Sequence, residues 1–187
     1  MKDLNELFKS FEIGIRSAKA TKPQKYLKEL GLDYTDMRIG FNSGQFHHRQ
    51  NQEFKDHFEA LGMLAKSGMG VRVKDMTPYT VFGGYGLIFP LMNSENLVVN
   101  YFAIRFKMST PKEQYLNGDG LYPSYPHPNT KRLFITPTLM DCASLIQSKA
   151  LDQREAALAL HDGELLPQHI AAIRELKELE EVIMIKR

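Results

Sequence analysis

The sequence predicts an α/β protein whose N-terminal part is helical and then antiparallel, and whose C-terminal part contains a parallel sheet. Hydrophobic residues recur at helical spacing near the N-terminus, and apolar stretches rich in β-branched and aromatic residues occupy the middle. After residue 131, short apolar stretches alternate with helical patterns, which is typical of a parallel βαβαβ unit. We therefore expect an α+β N-terminal subdomain, residues 1–130, packed on a smaller α/β subdomain, residues 131–187.

The composition indicates a globular protein and excludes several classes. The 187 residues are 43% hydrophobic and 25% charged, which lies outside the range of disordered chains. The single cysteine, Cys142, excludes an internal disulfide and favours a reducing compartment. No apolar stretch approaches the roughly 20 residues that a membrane helix needs, and the first residues lack the apolar centre of a signal peptide. We expect a soluble, cytoplasmic protein without a membrane partner.

The N-terminal pattern predicts helices separated by glycine turns. Hydrophobic spacing predicts one helix over residues 4–11 and another from Pro23 to Gly31. A third amphipathic pattern predicts a helix over residues 51–66. The glycine-containing segment 40–44 predicts a turn.

The middle of the chain predicts a β-hairpin followed by a structured loop. Two apolar stretches, residues 86–91 and 97–106, are separated by the turn-forming segment 93–96. The next segment, residues 109–128, contains four prolines, which exclude a continuous helix or a central strand.

The C-terminal part predicts alternating strands and helices. The predicted elements are a strand over 133–135, a helix over 139–149, a strand or helix end over 156–160, a helix over 165–179 and a strand over 182–185. Ligands of parallel sheets bind at the carboxyl ends of the strands. Loops 136–138 and 161–164 are therefore the first places to look for a site.

The charge is unevenly distributed although the net charge is only +2. Residues 1–135 hold 18 basic and 13 acidic side chains, whereas residues 136–187 hold 6 and 9. Two interpretations remain open: the N-terminal part faces phosphate, or the charges are scattered over solvated surfaces.

Six short strings, in order along the chain, resemble the catalytic core of bacterial DnaG-type primases. Their family counterparts are "YL…RGL", "FPI.D", a strand ending in "GFGGR", "KYLNS", "VVEGYMDVVAL" and "ATLGTALT". The strings here are Tyr26–Leu32 with Ile39–Phe41, Ile88–Asn93, Val98–Arg105, Gln114–Asn117, Leu133–Leu145 and Ala159–Leu165. The resemblance implies an N-terminal primase subdomain followed by a truncated Toprim-like parallel sheet.

The resemblance also implies a catalytic site that is incomplete in this chain. Toprim chemistry uses a glutamate after the first strand and a later Asp-x-Asp pair, which hold magnesium through carboxylate oxygens. Pro137, or Thr136 after a one-residue shift, occupies the glutamate position, and the sequence ends at Arg187 where the Asp-x-Asp would begin. Asp141 matches the remaining aspartate of the motif. We therefore expect a catalytically degenerate domain that is not an enzyme on its own.

Candidate nucleic-acid contacts lie at the end of the hairpin and in the following segment. Arg105 matches an arginine of the family's basic groove, and Lys107 lies on the same strand face by period two. Lys112, Tyr115 and Asn117 are candidates for contact with a phosphate backbone or a base. Two alternatives remain open: the cations are solvated residues at a strand end, and the tyrosine packs within the loop.

Three acidic residues are candidates for a metal site. Asp141, Asp162 and Glu164 lie near the carboxyl edge of the predicted sheet, where their carboxylates can converge. The alternative is that acidic residues near a helix start complement the helix dipole. We expect no cofactor, with magnesium bound only if carboxylates are supplied from outside the chain.

The leading hypothesis is a primase-like nucleic-acid-binding domain of DNA replication or of a mobile element. Its partners would be single-stranded DNA or replication proteins. A second hypothesis is a fragment or subunit of an active Toprim primase that carries out magnesium-dependent nucleotidyl transfer. A third is a protein or small-ligand interaction module, which suits Gln114 at the family's lysine position.

Overall fold

The computed structural model describes residues 3–67, 79–106 and 112–186. The chain divides into two compact units that interleave along the sequence. The first comprises Met1–Pro23, Ile39–Phe89 and Tyr101–Asn117, and the second comprises Gln24–Arg38, Pro90–Asn100 and Gly118–Arg187. The division of the chain into subdomains at residues 1–130 and 131–187 remains a prediction.

The described ranges contain both helices and strands. The helices are α1 (Leu4–Gly14), α2 (Thr21–Glu29), α3 (Gln52–Ala60), α4 (Leu139–Gln147) and α5 (Pro167–Glu175), with a 3-10 turn at Ala18–Ala20. The strands are β1 (Gly40–Asn42), β2 (Leu64–Lys66), β3 (Tyr79–Val81), β4 (Gly86–Met92), β5 (Val98–Arg105), β6 (Lys112–Tyr115), β7 (Arg132–Thr136), β8 (Glu155–Ala159) and β9 (Glu181–Met184). No helix among these described residues is long and apolar enough to span a membrane.

Helix α1 forms where the sequence predicts it and buries one face. Asp3 caps its N-terminus by accepting a hydrogen bond from the amide of Glu6 at 2.8 Å. Its apolar residues, spaced three and four apart, lie on one side of the helix. The buried members are Leu4, Leu7, Phe8 and Phe11.

A four-stranded sheet with the order β1-β4-β5-β6 contains the predicted hairpin strands. Gly40 pairs with Ile88, and β1 runs antiparallel to β4. A Cβ atom on Gly40 would lie 2.6 Å from the Cβ of Phe11, so glycine allows α1 to pack directly on β1. The prediction of a turn over residues 40–44 was therefore partly wrong: the first three residues form β1, and only the end turns, at Gly44 with φ +80°.

Two other sequence predictions need correction. The helix predicted over residues 51–66 ends at Ala60, because Gly62 adopts φ +77° and the next residues form β2, which pairs antiparallel with β3. The segment predicted as a loop over residues 109–128 contains β6, which lies between two of its prolines and includes neither. Residues 109–111 of that segment lie outside the described residues.

The C-terminal sheet is parallel, as predicted. Its strand order is β8-β7-β9, and β7 runs parallel to both neighbours. Leu133, Ile135 and Leu158 form a buried core with residues of α5. Helices α4 and α5 end at Gln147 and Glu175, short of the predicted ends at 149 and 179.

The close contact at Gly40 makes a direct prediction for stability. Gly40→Ala should lower the free energy of unfolding by about 1–3 kcal/mol, because the new methyl group overlaps Phe11. Gly118→Ala is the matched control, since nothing lies within 4 Å of a Cβ atom there. Urea unfolding followed by circular dichroism measures both variants. Equal midpoints for the two variants would contradict the close packing of α1 on β1.

Candidate nucleic-acid interface

The register of β5 against β6 places two cations directly opposite each other. The strands run antiparallel with Arg105 paired to Lys112 and Ala103 paired to Gln114. Because side chains alternate along a strand, these four residues share one face of the sheet. Arg105 is half-buried and Lys112 is exposed. The structure therefore brings together two of the predicted phosphate-binding residues.

No carboxylate compensates this pair within the described part of the chain. Neither Arg105 nor Lys112 forms an ion pair with another described residue, and the neighbouring Glu113 lies on the opposite face by period two. The buried Nε of Arg105 also finds no hydrogen-bond acceptor among these residues. Like charges directly opposite on a sheet destabilise it, so an anion between them would be favourable.

A third cation lies beside this pair. The Nζ of Lys22, near the start of α2, donates a hydrogen bond to the carbonyl oxygen of Phe106 at 3.3 Å. Phe106 follows Arg105 directly in the chain. The contact joins residues 84 positions apart, so no local motif could have predicted it.

The other predicted contacts do not all lie on this face. Tyr115 pairs with Phe102 on the opposite face, and their ring centroids lie 4.9 Å apart. Phe89 extends this aromatic row, with its ring 6.0 Å from that of Phe102. These contacts support the packing alternative for Tyr115. Asn117 is exposed after the end of β6, and Lys107 lies outside the described residues.

At the carboxyl end of β7, Thr138 caps helix α4 and the matched aspartate lies in the first turn of that helix. Thr138 precedes α4, and its hydroxyl accepts a hydrogen bond from the amide of Asp141 at 3.2 Å. The same hydroxyl donates to the carboxylate of Asp141 at 2.6 Å. The buried Thr136 hydroxyl in turn donates to the carbonyl of Thr138 at 3.0 Å. Asp141 thus has a structural role at the N-terminus of α4.

The loop after β8 is a tight turn. Asp162 and Gly163 have φ +49° and +81°, and the backbones of His161 and Glu164 bond to each other on either side. Asp-Gly with two positive φ angles is the sequence that such a two-residue turn favours. The alternative in which Asp162 complements a helix start was wrong, because α5 begins only at Pro167.

The described residues offer no assembled metal site. Across residues 3–67, 79–106 and 112–186, no group of three or more His, Cys, Asp or Glu side chains is placed to hold a metal ion. The proposed convergence of Asp141, Asp162 and Glu164 is therefore not supported by a cluster in the structure.

Two histidines, His161 and His169, lie near this turn of the second unit, and no sequence pattern predicts their role. The Nδ1 of buried His169 accepts a hydrogen bond from the amide of Leu166 at 3.0 Å, so its Nε2 donates to the carbonyl of Ala159, also at 3.0 Å. Burial lowers the pKa of His169. Burial and the nearby His169 lower the pKa of His161 to about 4, against the opposing effect of Asp162.

The fold is that of an α/β primase core with a Toprim-like parallel sheet. The DnaG primase catalytic domain solved bound to single-stranded DNA is 19% identical, has a TM-score of 0.74, and is matched over 95% of this chain and 57% of its own. The Escherichia coli primase catalytic core is 18% identical, with a TM-score of 0.74 and coverage of 97% and 60%.

A third structure extends this likeness to a complex with duplex DNA. The RNA polymerase domain of Mycobacterium tuberculosis primase DnaG, solved with double-stranded DNA, is 16% identical, with a TM-score of 0.66 and coverage of 96% and 61%. This chain thus spans about three fifths of the length of these structural relatives. No protein-family model and no curated protein sequence matches the chain.

The lowered pKa of His161 makes stability depend on pH. The unfolded histidine gains its proton near pH 6.5, whereas the folded one gains it near pH 4, so the unfolded state binds more protons between these values. Stability should therefore fall as the pH is lowered from about 6.5 to 4, by up to about 1.4 kcal/mol per pH unit from this group. His161→Phe should reduce that slope in urea unfolding measured across this range.

The exposed His127 supplies the control for this measurement. His127→Phe removes a histidine of the same unit and should leave the slope as in the unmodified protein. Identical slopes for His161→Phe and the unmodified protein would contradict the burial of a neutral His161.

Proposed function

We propose that this chain is a primase-like, catalytically degenerate domain that binds single-stranded DNA through its phosphate backbone. The observation that carries the proposal is the opposed pair Arg105 and Lys112, which lacks a compensating carboxylate within the described residues. Both side chains belong to the same unit and the same sheet face. A phosphate between them would relieve their mutual repulsion and would accept hydrogen bonds from both.

The structural relatives support the nature of the ligand. One primase catalytic domain with this fold is solved with single-stranded DNA, and another primase domain is solved with double-stranded DNA. In our proposal the same class of polyanion binds here. The exposed Lys112 would contact phosphate first, and the half-buried Arg105 would then fix its position. Contacts of this kind read no base sequence.

Two features support binding in preference to catalysis. The position that matches the family's glutamate is Pro137, or Thr136 after a one-residue shift, and neither residue has a carboxylate to bind magnesium. The carboxylate of Asp141 accepts a hydrogen bond from Thr138 in the cap of α4. In our proposal nucleotidyl transfer would require carboxylates and magnesium supplied from outside these residues, as in a larger primase or a complex.

The cellular setting that we propose is DNA replication or a mobile element in the cytoplasm, with single-stranded DNA or replication proteins as partners. The buried free thiol of Cys142, whose pKa burial raises to about 12, suits a reducing compartment. A module for proteins or small ligands is the alternative that remains if nucleic acid does not bind.

Removal of the opposed pair tests the proposal. Arg105→Ala with Lys112→Ala should weaken binding to labelled single-stranded DNA about tenfold or more, equally for different base sequences, because two phosphate contacts are lost. The slope of log affinity against log salt should become shallower by about 1.4. Fluorescence anisotropy at several salt concentrations, with and without magnesium, measures both effects.

The control removes two lysines of the same unit that are already paired with carboxylates. Lys9 pairs with Glu6 and Lys66 pairs with Glu59, so Lys9→Ala with Lys66→Ala changes the net charge equally without removing the proposed contacts. Unchanged affinity in the Arg105 and Lys112 variant would overturn the assignment. Binding that requires magnesium would instead favour the primase alternative.

A further inference from the structure

A regular series of cations lies in the N-terminal part of the chain. Residues 13–28 contain five basic side chains, one at every third position, and no acidic side chain. The series comprises Arg16, Lys19, Lys22, Lys25 and Lys28. Its first three members belong to the first unit, as Arg105 does, and all three are exposed. We refer to Arg16, Lys19 and Lys22 as the basic row.

The basic row spans the connection between α1 and α2. Its residues follow α1, run through the 3-10 turn at Ala18–Ala20 and enter α2. Arg16 lies in the turn after α1, Lys19 lies in the 3-10 turn, and Lys22 lies in the first turn of α2.

The contacts of the basic row leave its charge uncompensated. The Nζ of Lys19 donates to the side-chain oxygen of Gln45 at 2.8 Å, and the Nζ of Lys22 donates to the Phe106 carbonyl at 3.3 Å. Both acceptors are neutral. Within the described residues, no member of the row forms an ion pair. The side chains are thus held in place by contacts that leave their positive charge available.

The position of Lys22 is also unfavourable for helix stability. The N-terminus of a helix carries a partial positive charge that acidic side chains normally complement. The first turn of α2 contains no acidic residue and does contain Lys22. A bound anion would offset this repulsion.

We infer that the basic row is a second phosphate-binding surface, continuous with the Arg105 and Lys112 pair through the contact of Lys22 with Phe106. The inference rests on the proposed function, because it extends the bound strand by several nucleotides. Residues 13–25 contain no aromatic side chain, so the row contacts phosphates without stacking on bases. It therefore lengthens the bound strand without adding sequence preference.

The test compares oligonucleotides of two lengths. Arg16→Ala with Lys19→Ala, which leaves Lys22 and its contact with Phe106 in place, should weaken binding of an 18-nucleotide oligothymidine about tenfold and make its salt slope shallower by about 1.4, from two lost contacts. Binding of a 4-nucleotide oligothymidine, which reaches only the Arg105 and Lys112 pair, should change less than about twofold. Competition with polyglutamate of equal charge should displace neither oligonucleotide efficiently.

The control variant removes two ion-paired lysines of the same unit, Lys9 and Lys66. A second variant with glutamine at positions 16 and 19 keeps polar side chains there and must reproduce the alanine result. Equal affinity of the row variant and the unmodified protein for the long oligonucleotide would overturn the inference. Equal weakening at both lengths would also overturn it, because the row would then belong to the first site.

The two proposals fail in distinguishable ways. If loss of Arg105 and Lys112 weakens both lengths while loss of the row weakens neither, the proposed function stands and this inference is wrong. If the unmodified protein binds neither oligonucleotide, both are wrong. Efficient displacement by polyglutamate would indicate an acidic protein partner and would overturn the assignment to nucleic acid.

Discussion

The register of β5 against β6 is the constraint on which the candidate interface depends. It sets Arg105 opposite Lys112 on one face and Phe102 opposite Tyr115 on the other. A slip of one residue would move every side chain of β6 to the other face, which would separate the cations and expose the aromatic ring. The ring contact of Phe102 with Tyr115, at 4.9 Å, therefore stabilises the arrangement of charges on the opposite face.

The two units have different chemistry. The first unit carries cations at the end of β5 and along the basic row that form no ion pair with any residue in the described ranges. The second unit keeps a parallel sheet but uses its polar residues structurally: Asp141 in the cap of α4 and Asp162 in a tight turn. Fold alone does not determine function. In this unit, the polar side chains at the edge of the parallel sheet stabilise a helix start and a turn.

Much of the fold could be predicted from local pattern. The helical spacing of Leu4 to Phe11 correctly predicted α1, and the two apolar stretches correctly predicted the strands β4 and β5. The alternating pattern after residue 131 correctly predicted the strands and helices of the parallel sheet. Prediction failed where one residue overrides a pattern, as Gly62 does by ending α3 within an apolar stretch. The pairing of Arg105 with Lys112 depends on β6, a short strand in a proline-rich segment whose sequence does not indicate a strand. The contact of Lys22 with Phe106 joins residues far apart in the sequence, so residue spacing could not predict it.

The salt dependence of single-stranded DNA binding by the unmodified protein tests the central claim most directly. Phosphate contact releases counterions, so log affinity should fall linearly with log salt, with a slope of about −1.4 for two contacts and about −3.5 if the row contributes three more. Binding should persist when magnesium is removed, because the proposed contacts need no metal ion. An affinity that does not vary with salt would contradict the account, because no phosphate would then be bound by these cations.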